Sequence, residues 1–185
     1  MKTPHKHTWN PDRLDARAFA EAEGVLQLDT PLSRLPRLRN EAAGESAALG
    51  DVRWAARSEM RPGGAGAPRS PWMHLTAHAT LALTCQRCLG PVDTPLEVDR
   101  WFRFVADEAT AEAQDDDAEE DLLAMEPRPS LFDVLEDELL MALPLVPLHT
   151  TCPVDVVLSA GDPAVADEEA APRKNPFAAL ERLKK

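Results

Sequence analysis

Residues 72–85 alternate between apolar and polar side chains, and this run constrains the fold more strongly than any other part of the chain. Successive side chains of a strand point to opposite faces, so this alternation is typical of a strand that is buried on one face only. A one-residue slip would turn the apolar set to solvent, so the register is well specified. The apolar set is Met73, Leu75, Ala77, Ala79, Leu81, Leu83 and Cys85, and the polar set is His74, Thr76, His78, Thr80 and Thr84.

A second alternating run, at residues 95–105, follows a turn marked by Gly90 and Pro91. Consecutive strands that are joined by a short turn predict an antiparallel hairpin. The tip of this hairpin carries a C-x-x-C sequence, from Cys85 to Cys88.

The remaining elements complete an α+β fold. Strands are predicted at residues 25–28 and 51–60, and a helix at 12–23 begins after Asn10. An amphipathic helix at 130–143 ends before Pro144 because proline cannot continue a helix. Its predicted buried stripe is Leu131, Val134, Leu135, Leu139 and Ala142. We expect a mostly antiparallel sheet, with barrel-like curling as an alternative, on which this helix packs.

The domain organisation follows from length and composition. A chain of 185 residues suits one domain, which we place at residues 1–160. Within it, residues 31–50 are predicted as a connector and 61–71 as a loop. Residues 107–121 are so acidic that we predict a flexible loop. Residues 161–185 form a predicted tail, with a short C-terminal helix around Phe177.

The formal charge of −12 argues against a protein that coats nucleic acid by charge alone, and it suits a basic partner. No apolar run approaches the roughly 20 residues of a membrane helix. Three cysteines, two of them in one C-x-x-C, do not resemble a secreted disulfide framework. We therefore predict a cytoplasmic protein that makes no contact with a membrane.

The sequence offers one candidate metal site. Zinc takes four thiolate or imidazole ligands in a tetrahedron, and Cys85, Cys88, His149 and Cys152 would supply them. Such a closed site would be structural and would link the hairpin tip to the segment after the helix. Two alternatives stay open, namely ordinary reduced thiols and a redox-active pair. The turn and strand after the motif argue against the redox pair, which needs a helix there.

Other polar clusters are predicted to be surface features. His74 and His78 would lie roughly 13 Å apart on one strand, too far to share an ion. The carboxylates of residues 136–138 are interpreted as a solvated helix face. The acidic run is either a solubilising loop or a docking site for a basic protein, and the basic C-terminal end either touches RNA or is only a charged tail. No catalytic motif is recognisable, so we do not expect an enzyme.

Three stretches together resemble the YceD family, whose members are also called large ribosomal RNA subunit accumulation proteins. They are LTCQRCLGPV at 83–92, SLFDVLEDELLMALPLVPLH at 130–149 and KNPFAALERLKK at 174–185. Many members carry a further cysteine pair after the proline run, whereas this chain has only Cys152, with His149 before it.

The resemblance implies a non-catalytic factor for accumulation or processing of large-subunit (23S) ribosomal RNA. Its expected partners are that RNA or its precursor, ribosomal proteins, or both, with no small-molecule substrate. Two alternatives stay open: an acidic escort for a basic ribosomal protein, and a zinc-stabilised adaptor.

Overall fold

A computed structural model describes residues 9–44, 50–62 and 68–155 of the chain. It contains a five-stranded sheet and four helices in that part of the chain. The helices are α1 (Ala16–Glu21), α2 (Pro36–Asn40), α3 (Glu108–Gln114) and α4 (Leu131–Met141). The strands are β1 (Val25–Pro31), β2 (Asp51–Arg61), β3 (Ser70–Thr84), β4 (Pro91–Asp107) and β5 (Asp121–Glu126).

The strand order is β1-β2-β3-β4-β5, and only the β4–β5 pair is parallel. The predicted α+β class and the mostly antiparallel sheet are therefore confirmed. The barrel-like alternative is wrong, because β1 and β5 lie at opposite ends of the strand order and the sheet stays open. The predicted hairpin forms between β3 and β4, and its register places Thr84 opposite Pro91.

One face of the sheet and the helices α1, α2 and α4 enclose the core. On β3 five of the six residues that were predicted to face inward are buried, among them Met73 and Leu75, which are both fully covered, and Ala79 is half-buried. Ser130 caps α4 by accepting a hydrogen bond from the backbone N–H of Asp133. Leu135 and Leu139 of α4 are completely buried, which confirms the centre of the predicted stripe.

Helix α1 is shorter than predicted. It begins at Ala16, and Asp15 caps it by accepting from the N–H of Ala18. Asn10 instead accepts from the N–H of Asp12, so it closes a local turn before the helix. Side-chain caps of this kind occur at turns as well as at helix ends, which is why the composition alone misplaced the start.

The predicted connector at 31–50 contains ordered core structure. A 3₁₀ turn at Leu32–Arg34 leads into α2, and both elements contribute buried leucines to the core. The three that are almost or completely covered are Leu32, Leu35 and Leu38. Their spacing of three residues is a helical signal, which the prolines and charges around it obscure.

The acidic run is also more structured than predicted. In place of a loop at 107–121, the chain forms α3, a 3₁₀ turn at Asp115–Asp117 and the start of β5. Asp107 caps α3 by accepting from the N–H of Thr110, and Ala111 faces the protein interior. The division into a domain up to residue 160 and a tail stays a prediction, because the C-terminal helix expected around Phe177 lies outside the described residues.

Candidate metal centre

The hairpin tip places both cysteines of the C-x-x-C on one tight turn. The N–H of Cys85 donates to the carbonyl of Gly90 (2.8 Å), and the N–H of Leu89 donates back to the carbonyl of Cys85 (2.9 Å). Leu89 closes this turn in the left-handed region, with φ of 59°. The buried Cys85 and the partly buried Cys88 are therefore held by backbone geometry at the end of β3.

The segment after α4 returns to this turn. The N–H of Gln86 donates to the carbonyl of Pro147 at 2.9 Å, and the N–H of His149 lies 3.5 Å from the sulfur of Cys85. These contacts join the hairpin tip to a segment about sixty positions away in sequence. The proline run ends the helix and then delivers His149 and Cys152 to the two hairpin thiols.

All four predicted ligands come together. One ligand atom from each of Cys85, Cys88, His149 and Cys152 lies within 4.8 Å of all the others. The Cys88 sulfur is 3.4 Å from Nδ1 of His149. With zinc bonds of about 2.3 Å to sulfur and 2.05 Å to nitrogen, a tetrahedral site has an S···N edge of about 3.6 Å. The arrangement can therefore close around a zinc-sized ion with a small adjustment.

The electrostatics of the cluster are unequal. Burial raises the pKa of the Cys85 thiol, but N–H groups of Cys88, His149 and Arg87 favour its thiolate and lower its pKa to about 5. Burial raises the pKa of Cys152, and the neighbouring Cys88 and Cys85 raise it further. A bound cation would offset this repulsion between neighbouring thiolates and so favour their charged form.

The other polar residues that were predicted to lie on the surface differ in how exposed they are. His78 is exposed, as expected, whereas His74 is only partly exposed and its Nε2 contacts a carboxylate oxygen of Asp99 at 2.6 Å. The prediction of a solvated face at residues 136–138 is wrong for two of the three carboxylates. Glu136 and Glu138 are 4% and 8% exposed. Each faces an arginine from another element, which the helical spacing alone could not reveal.

The carboxylate of Glu136 forms two of its hydrogen bonds with the backbone at the start of α2. Glu136 accepts hydrogen bonds from the N–H groups of Arg37 (2.7 Å) and Leu38 (3.2 Å), and from Nε of Arg37 (2.9 Å). It therefore caps α2 from a distant helix. Glu138 lies beside Arg100, with 3.7 Å between Oε2 and Nε, and burial raises the pKa of its carboxyl group.

Sequence reasoning missed an aromatic cluster on the solvent side of the sheet. His74 stacks on Trp101 with ring centroids 4.5 Å apart, and Arg61 lies over both Trp101 and Trp72. A signal was present, because a hairpin with Thr84 opposite Pro91 also has His74 opposite Trp101. The basic C-terminal end and the histidines before Trp9 lie outside the described residues. None of the helices in the described ranges is long and apolar enough to cross a membrane.

The chain is similar to known proteins over its larger, C-terminal part. A family model described as "Large ribosomal RNA subunit accumulation protein YceD" matches residues 73–184, which include both halves of the candidate metal centre. A protein of that name from Haemophilus influenzae is 37% identical over 106 residues, which cover 55% of this chain and 59% of the relative. The alignment thus spans less than two thirds of the relative's length. No solved structure matches the chain.

Proposed function

Because the chain belongs to the YceD family, we propose that it supports the accumulation of large-subunit (23S) ribosomal RNA, and that it does so by binding rather than by catalysis. The family match over residues 73–184 is the observation that carries this proposal. That region contains all but the first three residues of the β3–β4 hairpin, together with α4 and all four candidate metal ligands. The relative that the chain resembles bears the same description of ribosomal RNA accumulation.

Depletion of the protein in its host tests the proposal. We expect less mature 23S RNA relative to small-subunit RNA, with recovery when the wild-type gene is restored. Northern blots with probes for the mature RNA and its precursor measure both quantities. Unchanged mature RNA without precursor build-up, in cells shown to lack the protein, would contradict the proposed function.

We further propose that Cys85, Cys88, His149 and Cys152 hold a structural zinc ion. Three thiolates and one imidazole are a donor set that zinc takes in closed sites. The ion would join the hairpin tip to the segment after α4, so that two distant parts of the fold share one set of ligands. A bound cation would also relieve the mutual repulsion of the thiolates.

Elemental analysis of protein purified without chelator tests the metal site. We expect about one zinc per chain in the wild type and substantially less in Cys88→Ser. Gln86→Ser is a matched control on the same turn, since Gln86 donates its backbone N–H and is not a candidate ligand. Equal zinc in wild type and Cys88→Ser, or none in either after refolding with zinc, would contradict the site.

A second candidate function is an acidic escort for a basic ribosomal protein. Seven carboxylates of the acidic run are exposed and make no ion pair within the described part of the chain. They are Asp107, Glu108, Glu112, Asp115, Asp116, Asp117 and Glu119. Pull-down at low and moderate salt distinguishes this function, because such contacts weaken as salt rises. Recovery of no ribosomal protein at low salt would remove the idea.

A further inference from the structure

Strand β1 lies at one end of the strand order, so one of its two sides faces away from the sheet. In an antiparallel pair, alternate residues exchange hydrogen bonds with the neighbouring strand and the residues between them point outward. Just before β1, the N–H of Ser58 donates to the carbonyl of Gly24 at 3.0 Å. Just after it, the N–H of Leu32 donates to the carbonyl of Gly50 at 3.3 Å. Both contacts continue the β1–β2 register, so the even-numbered residues of β1 bond to β2.

The odd-numbered residues of β1 therefore direct their backbone groups to the free side. The N–H and C=O groups of Val25, Gln27 and Asp29 point outward there, and no hydrogen bond between described residues reaches them. Proteins commonly protect such an edge with lysine, proline or a bulge. The register of β1 is continuous, it contains no lysine or arginine, and its proline is the last residue, Pro31. The edge is thus open to a further strand.

The inner side of this edge has room for the side chains of such a strand. Leu26 and Leu28 point inward but are only half-buried. A cavity of about 560 Å³ lies beside them and is also lined by Phe132 of α4. Two of its charged lining residues, Arg34 and Asp12, pair with each other at 2.7 Å. Apolar side chains from an added strand would therefore enter a cavity with apolar walls.

We propose that β1 pairs antiparallel with β1 of a second copy of this chain, so that the two sheets continue across a twofold axis. This contact is independent of the proposed function in RNA accumulation. One register satisfies every outward group: Gln27 lies opposite Gln27 of the second copy, and Val25 lies opposite its Asp29. A shift of one copy by two residues would move Asp29 past the start of the other β1, or would place Val25 opposite Pro31, which has no N–H.

The side chains that meet in this register suit one another. On the inner side, Leu26 lies opposite Leu28 of the second copy in a non-hydrogen-bonded pair, where side chains are closest. On the solvent side, Val25 lies between Arg57 of its own sheet and Asp29 of the second copy. That arginine and that carboxylate are two strand spacings apart, about 9–10 Å between Cα atoms, which an arginine side chain can span. Arg57 makes no ion pair among the described residues, so the second copy supplies it with an acidic neighbour.

The match between two identical strands favours a second copy over an unrelated strand. Contacts with twofold symmetry are the commonest in soluble oligomers, and they require a surface that complements itself. Strand β1 meets this requirement, because its leucines face leucines and no like charges lie directly opposite each other. The pairing also closes on itself, since it leaves neither β1 edge free for a third copy.

Light scattering after gel filtration of the full-length protein tests the contact. We expect twice the chain mass of 20.3 kDa at micromolar concentrations. Gln27→Lys and Gln27→Glu should each weaken dimerisation at least about tenfold, because the new charge lies opposite its own copy across the axis. An equimolar mixture of the two variants should recover dimers, since opposite charges then face each other. His78→Lys is the control on the exposed side of the middle strand β3, and it should change the dissociation constant less than about twofold.

Hydrogen exchange gives a residue-level measurement of the same contact. In the dimer the outward amides of Val25, Gln27 and Asp29 should be protected, and dilution to monomer should restore their fast exchange. Gln27→Pro removes one outward N–H without removing a β1–β2 hydrogen bond, and edge strands accept proline at such positions. We therefore expect this variant to be a monomer with the circular dichroism of the wild type.

Four results would overturn the proposed contact. They are a wild type that stays monomeric throughout the micromolar range, equal effects of Gln27→Lys and His78→Lys, a mixture of the Gln27 variants that stays monomeric, and outward amides that are protected in the monomer. The last result would give the edge to another segment of the same chain. Gln27 is exposed, so its lysine and glutamate variants stay decisive even if Gln27→Pro is unfolded.

Discussion

The contact between Glu136 and helix α2 gives a stability prediction whose size can be worked out from the structure. Glu136 is 4% exposed. Its carboxylate accepts hydrogen bonds of 2.7–3.2 Å from two backbone N–H groups and from Nε of Arg37. Glu136→Ala removes all three of these hydrogen bonds. The two N–H groups belong to Arg37 and Leu38 in the first turn of α2. The first N–H groups of a helix have no backbone acceptor within that helix, so these two need an acceptor from elsewhere.

The expected destabilisation follows from the kind of each hydrogen bond. A hydrogen bond to a charged group contributes about 1.5–3 kcal/mol, and removal of a helix cap costs about 0.5–2 kcal/mol. These terms overlap, and the Arg37 side chain is 52% exposed, so water replaces part of its contact. We therefore expect Glu136→Ala to lower the free energy of unfolding by about 3 kcal/mol. Glu136→Gln keeps an oxygen for the backbone donors and should lower it by only about 1 kcal/mol.

Urea unfolding followed by circular dichroism measures these differences. Asp137→Asn is the matched control, because Asp137 contacts the same arginine at 2.6 Å but is 57% exposed. An exposed ion pair contributes little, so this variant should lower the free energy of unfolding by at most about 0.5 kcal/mol. A change below about 0.5 kcal/mol for Glu136→Ala, or an equal change for Asp137→Asn, would refute the assignment of Glu136 as the cap of α2.

Three further predictions concern the metal centre, a close approach and a buried acid. Removal of bound metal with a chelator should lower the melting temperature by several degrees and leave the far-ultraviolet circular dichroism spectrum unchanged. An equal melting temperature for zinc-loaded and chelator-treated protein would contradict a stabilising ion. Gly24→Ala should lower the free energy of unfolding by about 1–3 kcal/mol, because the Cβ of the alanine would lie 2.0 Å from a ring carbon of Phe19. An unchanged free energy of unfolding in urea would contradict this. Burial raises the pKa of Glu138 above its ordinary 4.5, so the folded state holds the proton more tightly and stability falls as pH rises from about 4.5 through the raised value. Glu138→Gln should weaken that fall and equal or exceed the wild type in stability at pH 7; a variant clearly less stable at pH 7 would show that the contact with Arg100 outweighs the burial.

The features that were predictable from the sequence depend on residues that lie close together along the chain. Alternation over residues 72–85 specifies which side of β3 is buried, and the tight turn between Cys85 and Gly90 places Thr84 opposite Pro91 in the hairpin. The cap at Ser130 and the stop before Pro144 bound α4 in the same local way. The candidate ligands were visible because cysteine and histidine are rare in this chain and stand at short spacings.

The features that were not predictable depend on partners far along the chain. Glu136 and Arg37 are 99 residues apart, and helical spacing gives no sign that a carboxylate is buried against another element. Strand β5 pairs in parallel with β4, and its acidic surroundings resemble a loop by composition. The net charge of the 107–121 segment favoured a loop and obscured the local cap that Asp107 provides for α3.

The backbone around the candidate metal centre explains how an ion can stabilise the fold without creating it. Leu135 and Leu139 hold α4 on the sheet with no exposed surface, and the Gln86–Pro147 hydrogen bond brings the ligand-bearing segment to the hairpin tip. Ligands that protein packing already gathers lose little further entropy when an ion binds. The binding energy then adds to a core that buries its own apolar surface, unlike a small zinc finger, in which the ion replaces the core. The same packing leaves the solvent side of the sheet uncovered by α4, because α4 buries its leucines against the opposite side.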